Sequence, residues 1–578
     1  MTPEQPEKIW RVKEEPDKEL VASLSAAINV SQFIAKLLIL RGIDSYEKAK
    51  EFFCPSLAQW RDPFELPDMK KATDRVKAAL EAREKILIFG DYDSDGVFST
   101  AIVFDYLKRQ GAEAMFYLPD RLSEGYGLSL SAVDYAAQNS CGLMIVLDNG
   151  TNSTEQIKYA NSKNIDVIVI DHHLPESGTE LPPSYAIVNP KRYEYSFEFD
   201  DFCAGGLALK FVDALSGRKT EEIFALYSGW AAVATAADIV SMSGENRVIT
   251  FFGLKYLNQN AGTGLEALIS LSSVYKPLTV RSIVAQLVPK INAAGRVAKA
   301  DTSFELLFEN DAEKAQNKAR ELLRMNTDRK THTRNVVEQV FENAELVSKD
   351  SFGLVITGTA WHAGVVGMAA SRCAENFCRP TVVLCEAGDM LFGSVRSHAG
   401  IDVIEIMNQC REYLDKFGGH KFAAGVSLRK ENLENFKIAF NEACKLAFEN
   451  QIPRKTILSD VLISLNELTP KALQVIRRFS PFGPDNMRPV FTAHGVRLKI
   501  RPTILNEKHL LLQLEQNGTY IEGTGFFMAN RIKEIGQAEF LDVCFVISGD
   551  EGEPGKRFLR LEIRDFRISQ MTKSVSTS

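Results

Sequence analysis

Lys85–Gly90, KILIFG, runs directly into Asp91-Tyr92-Asp93-Ser94-Asp95-Gly96. The first half is short, apolar and partly β-branched, the pattern of a strand buried on both faces of a parallel sheet. The second half is an acidic turn. The same ending recurs twice downstream. Leu143–Leu147 runs into Asp148-Asn149-Gly150, and Val167–Ile170 runs into Asp171-His172-His173. Ligand sites of open α/β sheets lie beyond the carboxyl ends of the strands. Three such strands therefore deliver Asp93, Asp95, Asp148, His172 and His173 to one edge. That many carboxylates do not crowd together ionised without a cation between them.

Oxygen donors with one or two imidazoles suit Mn²⁺ or Mg²⁺ better than a thiolate zinc site. Aspartates able to bridge two ions fit the arrangement in which ions about 3.5–4 Å apart activate water and hold a phosphoryl oxygen. Each aspartate has an ordinary alternative as a helix N-cap or turn residue. The histidine pair is less easily explained that way, because the chain has only 8 histidines. Asp238 lies in a small, apolar helical stretch, WAAVATAADIV, where an unpaired carboxylate is expensive. Metal ligation would satisfy it; an N-cap is the alternative.

These residues resemble the first motifs of the DHH phosphoesterase superfamily, and the motif order resembles its RecJ family of bacterial single-strand-specific exonucleases. Arg121 with Glu124-Gly125-Tyr126-Gly127 resembles the family's segment after the next strand, and Asp238 its fourth acidic motif. Asn292-Ala293-Ala294-Gly295-Arg296 resembles the close of the catalytic half. Trp361–Gly367, Gly393-Ser394-Val395-Arg396-Ser397 and Gly418-Gly419-His420 resemble the DHH-associated domain, and Ser480–Pro484 the opening of the OB-type domain. The likeness spans residues 70 to 565. Two positions depart from it. Phe89 stands where some DHH phosphatases carry an extra histidine ligand, which moves the chain away from the pyrophosphatase branch. Asp485–Pro489 replaces the family's usual glycine, asparagine and proline.

Composition is that of an ordinary globular protein, and 578 residues exceed one core, so several domains are expected. The N-terminus lacks the apolar core of a signal peptide, and no apolar stretch is long enough to span a bilayer. Nine cysteines without a C-x-x-C pair argue against a disulfide framework or zinc ribbon and fit a reduced, cytoplasmic setting. A net charge of −7 works against a polyanion ligand, whose affinity comes largely from cations. Local charge can prevail, since screening limits reach to about 8–10 Å. Arg488, Arg497, Lys499 and Arg501 fall in an acid-free run after Asp485, and Lys556 to Arg567 form a second basic zone.

The expected fold class is α/β with an added barrel. Residues 1–70 read as an amphipathic, partly helical lead-in, with a helix stopping at Ala49–Phe53 before Pro55. Residues 71–311 alternate strands and helices as a parallel-sheet catalytic domain. Thr100–Gln110 reads as the first helix after a strand, stopped by Gly111. Residues 312–348 form a connecting helix, apolar at both ends and polar over Asn326–Asn335, about 55 Å long. His332 on it reads as a solvated residue. Residues 349–454 read as a second α/β module with strands Gly353–Ile356 and Thr381–Leu384. Its segments 393–397 and 418–420 read as glycine-rich turns that admit an anion to the backbone. Residues 455–578 carry short β-like runs at Leu498–Ile500, Leu510–Leu514, Tyr520–Phe526, Val543–Ile547 and Phe558–Ile563, the spacing of a small OB-type barrel.

The resemblance implies a 5′–3′ exonuclease on single-stranded DNA that releases mononucleotides in repair and recombination, with single-strand-binding protein and helicases as partners. It implies that Asp93, Asp95, Asp148, His172 and Asp238 hold two Mn²⁺ or Mg²⁺ ions. His173 would touch the scissile phosphate and Asp171 would orient a histidine. Arg121, Ser394 and Arg396 would receive the terminal phosphate, with Arg296, His362 and His420 along the strand. Two alternatives stand beside it. One is a DHH phosphodiesterase for short oligonucleotides or cyclic dinucleotides, which would typically lack the barrel. The other is a non-catalytic DNA-binding relative, which would have lost its carboxylates.

Overall fold

The computed structural model describes residues 8–570 except 122, 126, 177, 196–198, 349–350, 362, 450, 452–453 and 549–558, and the side chains of 363 and 420. The chain starts with strand β1 (Ile9–Val12) and helices α1 (Lys18–Ile28), α2 (Gln32–Ile39) and α3 (Tyr46–Phe53). After α4 (Met69–Ala82) come β2 (Lys85–Phe89), α5 (Ser94–Arg109), β3 (Ala114–Tyr117), α6 (Leu130–Gln138) and β4 (Cys141–Leu147). Then follow α7 (Thr154–Ser162), β5 (Asp166–Ile170), β6 (Ala186–Val188), α8 (Ala204–Leu215), α9 (Thr220–Ala237) and α10 (Gly244–Gln259).

Strands β2 to β6 form an all-parallel sheet in the order β3-β2-β4-β5-β6. Ile86–Phe89, Leu143–Leu147 and Val167–Ile170 are fully buried, which explains their uninterrupted apolar runs. The winding reverses between β2 and β4, where an open sheet leaves its crevice. Helix α5 begins at Ser94, six residues earlier than the sequence pattern predicted, because Asp93 caps it by accepting from Asp95 N and Gly96 N. Gly111, just past its end, takes φ +82, as expected for a glycine stop. Phe89 is fully buried and stacks on Tyr117, so packing occupies the place of the extra histidine.

Helix Ala312–Val347 continues from this half to the second module. Its polar centre is not wholly exposed. Asn326 and Thr333 are buried on the stripe that continues through Val336, Val340 and Ala344, while His332 is exposed as expected. The second sheet has the order Lys416–His420, Ala423–Arg429, Met390–Arg396, Thr381–Ala387, Leu354–Gly358. Segments 393–396 and 418–420 are therefore strand, not the turns expected. The glycines serve sheet packing: a Cβ on Gly393 would lie 2.0 Å from Val383 O, and one on Gly419 2.3 Å from Ala423 O.

The last domain closes as a five-stranded barrel of Val490–Leu498, Phe540–Ser548, Arg560–Ile568, Thr519–Gly525 and His509–Gln516. Closure runs through Arg497 opposite Glu515 and Leu498 opposite Leu514. The run expected at 498–500 is the end of a longer strand that stops at Leu498, and Phe558 and Lys556–Arg557 lie outside the described residues. The N-terminal segment belongs to this barrel. Strand β1 pairs with Thr456–Ser459, and Phe33, Leu37 and Leu38 share a core with Phe479, Phe491 and Val496. Part of the second basic zone is spent internally, on Arg560–Glu522 and Arg564–Glu562 pairs and on Arg567 over the Trp10 ring. Among the described residues all nine cysteines are free, and no single helix is long and apolar enough to cross a membrane.

Candidate metal centre and phosphate pocket

Asp91–Asp95 follow β2, Asp148 follows β4, and Asp171–His173 follow β5, so sheet register brings all three ends together. Asp238 arrives from elsewhere, as the residue that ends α9. This excludes the N-cap alternative. A carboxylate at a helix C-terminus is opposed by the macrodipole, so local structure does not explain it.

His172 is the hub. Its Nε2 lies 3.2 Å from Asp148 Oδ1 and 3.7 Å from Asp95 Oδ2, and its Nδ1 lies 3.6 Å from Asp238 Oδ2. Among the described residues, three ligand groups have donor atoms within 4.8 Å of one another: Asp91, Asp93 and Asp148; Asp95, His172 and Asp238; Asp148, His172 and His173. Asp148 belongs to two of them. It adopts φ +63, an uncommon left-handed conformation that turns it into the crevice.

The electrostatics ask for cations. Burial, together with the neighbouring carboxylates, pushes Asp91, Asp148 and Asp238 well above the usual carboxylate range. Asp95 is pushed up to about 6 by burial and Asp93, although it accepts from Ala204 N and Gly205 N at the start of α8. Among the described residues, buried Asp91 Oδ1 has no hydrogen-bond partner. Burial and the adjacent His173 lower His172 to about 3, leaving the neutral imidazole that metal ligation requires. The donor set, oxygens with one or two imidazoles, fits Mn²⁺ or Mg²⁺.

Asp171 does a different job. It accepts from Thr151 N, His172 N and His173 N, and its Oδ1 lies 2.7 Å from His173 Nδ1. The histidine it orients is thus His173. Burial disfavours the charged ring, but Asp171 outweighs it and raises His173 to about 9. Asn189 fixes the same loop through Thr151 Oγ1 and His173 O.

A second group of cations faces this centre. Arg121 lies over the Tyr92 ring, 5.3 Å from its centre. Arg296 is lowered to about 10 by burial and by Arg121 and Arg329, and Arg396 is lowered by burial and Arg121. Arg396 donates to Ser394 Oγ and to Val395 O. A Cβ on Gly367 would come 2.7 Å from Arg396 Nη2, so that glycine makes its room. A Cβ on Gly295 would come 2.3 Å from Tyr92 O, which seats the Arg296 segment on the acidic turn, as does the bond from Ser94 Oγ to Asn292.

Arg121, Arg296, Ser394 and Arg396 are thereby gathered around the cleft. His362 and the side chain of His420 lie outside the described residues. Two participants escaped sequence reasoning. Asp91 resembled the start of a turn, although as the first acidic residue of DYDSDG it carried the signal. Arg329 gave no signal; it sits in the polar middle of the long helix, and among the described residues its buried Nε has no hydrogen-bond partner.

Fold and site define a metal-dependent phosphoesterase of the DHH class. The DHH family N-terminal domain matches residues 85–235, the DHHA1 domain residues 350–446 and the RecJ OB domain residues 459–565. The single-stranded-DNA-specific exonuclease RecJ of Bacillus subtilis (strain 168) is 34% identical over 567 residues, covering 97% of this chain and 71% of that protein. The protein of the same name from Escherichia coli (strain K12) is 29% identical over 551 residues, covering 88% and 92%. The crystal structure of RecJ in complex with Mn²⁺ from Thermus thermophilus shares the fold, with a TM-score of 0.83 over 97% of this chain and 79% of that one at 24% identity. The chain belongs to the RecJ exonuclease family.

Proposed function

We propose that this chain hydrolyses single-stranded DNA from its 5′ end and releases 5′-mononucleotides, using two Mn²⁺ or Mg²⁺ ions. The observation that carries the proposal is the pair of adjacent ligand groups, joined where His172 Nε2 lies 3.2 Å from Asp148 Oδ1, directly before a guanidinium cluster. Asp91, Asp93 and Asp148 would hold one ion; Asp95, His172 and Asp238 would hold the other. The ions would lower the pKa of a bound water and offset charge on the transferring phosphoryl group. His173, charged and held through Nδ1 by Asp171, would direct Nε2 to the scissile phosphate. Arg396, braced by Ser394, would bind the terminal phosphate through its planar fork, with Arg121 beside it. Arg296 would hold the next part of the strand. Specificity for single strands would follow from the cleft between the two α/β modules, with the barrel adding stacking and charge.

The test compares a 5′-labelled single strand, the same strand in duplex and a dinucleotide, each with Mn²⁺. The expected result is release of labelled mononucleotide from the single strand before any shorter internal fragment appears, and little from the duplex. A ladder growing from the 3′ end would overturn the polarity. Faster turnover of the dinucleotide than of the strand would favour the short-oligonucleotide phosphodiesterase instead.

A further inference from the structure

Asp238 reaches the metal centre from a helix end, not from a strand of the sheet. It ends α9 and begins the link Ile239–Ser243 to α10. Its neighbour Ile239 has φ +61 and is 73% exposed. A β-branched residue in the left-handed region is strained, so surrounding structure must fix this link. Part of the hold comes from within the catalytic half: Ser241 N donates to Asp201 Oδ2, and Asn246 Nδ2 donates to Ser241 O.

The rest comes from the barrel. Met242 N donates to Pro484 O at 2.8 Å, and a Cβ on Gly483 would come within 3.0 Å of the Met242 side chain. Five residues further on, Arg247 grips the same turn. It is 4% exposed and, among the described residues, donates only to backbone carbonyls: Phe479, Pro481, Arg478 and Ser480 of the barrel domain, and Phe52 of α3. Its guanidinium also lies 3.9 Å from the Phe52 ring centre. A buried cation satisfied by carbonyls alone needs those carbonyls to converge. Asn486 makes them converge from the other side. Its Nδ2 donates to Phe479 O and Pro481 O, while its Oδ1 accepts from Arg41.

We infer that Arg247 and the barrel turn Phe479–Asn486 form a brace that positions Asp238, so that the C-terminal domain sets metal affinity as well as strand binding. Arg247 is a positioning residue; it acts through the link and touches neither metal nor DNA. The inference rests on Asp238 being a metal ligand, as proposed above.

The test uses the full-length, metal-free protein titrated with Mn²⁺, following free Mn²⁺ by electron paramagnetic resonance, with hydrolysis of a trinucleotide measured in parallel. Partners that orient metal ligands typically change affinity about 10- to 100-fold. Arg247→Ala should weaken one of two Mn²⁺ equivalents by about that factor. It should lower kcat on the trinucleotide without changing its KM, and added Mn²⁺ should restore turnover. Arg247→Lys should recover part of the affinity, since an ammonium reaches some of the same carbonyls. Asn486→Ala leaves α10 intact and should show a smaller effect of the same kind; it carries the test if Arg247→Ala does not fold.

Asp238→Asn gives the decisive control. Adding Arg247→Ala to it should weaken Mn²⁺ binding no further. Wild-type Mn²⁺ affinity in folded Arg247→Ala or Asn486→Ala, or additivity with Asp238→Asn, would overturn the brace. If the wild type binds two Mn²⁺ but hydrolyses nothing, the proposed activity fails while the titration still decides the brace.

Discussion

Asp148 accepts a left-handed backbone and burial among four other carboxylates, an arrangement that destabilises the fold and makes sense only with cations present. Asp148→Asn should therefore raise the melting temperature of the metal-free protein while abolishing the stabilisation that Mn²⁺ gives the wild type. Ligand at 100 times its Kd stabilises by about 2.7 kcal/mol, so the wild-type response should be several degrees, measured by calorimetry with and without Mn²⁺. A variant that keeps the full Mn²⁺ response would remove Asp148 from the centre. Turnover in Asp148→Asn or His172→Ala should fall by orders of magnitude. Arg396→Lys keeps charge but loses the fork that is set against Ser394. It should lower kcat/KM on 5′-phosphorylated ends about ten- to a hundredfold, matching the 1.5–3 kcal/mol of a charged hydrogen bond. A smaller loss is expected on 5′-hydroxyl ends; equal losses would place Arg396 elsewhere along the strand. Most of the centre was legible in sequence, because an open parallel sheet places its ligand site beyond the carboxyl ends of its strands. Asp91 was not, since an acidic residue opening a turn reads as turn chemistry until its unbonded, buried oxygen is seen.

Elements were legible where one periodicity governed them. The buried strands and the 36-residue helix follow directly from apolar spacing, and the halt of α3 follows from Pro55. Gly393 and Gly419 misled, because a glycine admits either a bare turn or a close sheet neighbour, and only the paired strand tells which. Gly393→Ala tests the correction. Its Cβ would meet the backbone oxygen of Val383, which cannot swing aside. The expected loss is about 1–3 kcal/mol of stability, the range for overpacking a core, read from chemical denaturation. Undiminished stability would return Gly393 to an anion-binding turn.

At the scale of the molecule, the N-terminal helices and the barrel share one core that the sequence could not reveal, since its two halves lie more than 400 residues apart. Truncation at residue 455 would strip cover from Phe33, Leu37 and Leu38, so charge substitutions probe the barrel better. Arg497, Lys499 and Arg501 are exposed on the acid-free run. Replacing all three with glutamine should flatten the salt dependence of binding to long single strands, by roughly 0.7 in logarithmic slope for each phosphate no longer neutralised. An unchanged slope would exclude this face from the strand's path.

Two-ion catalysis stands or falls on counting ions against hydrolysis. Metal-free protein is titrated with Mn²⁺ by calorimetry while release of mononucleotide from a 5′-labelled single strand is followed at each step. Without metal no hydrolysis is expected; two ions should bind per chain, with full activity only when both sites fill. Asp148→Asn combined with His172→Ala should show neither binding nor hydrolysis. Hydrolysis by the metal-free protein, or by that double variant, would contradict two-ion catalysis.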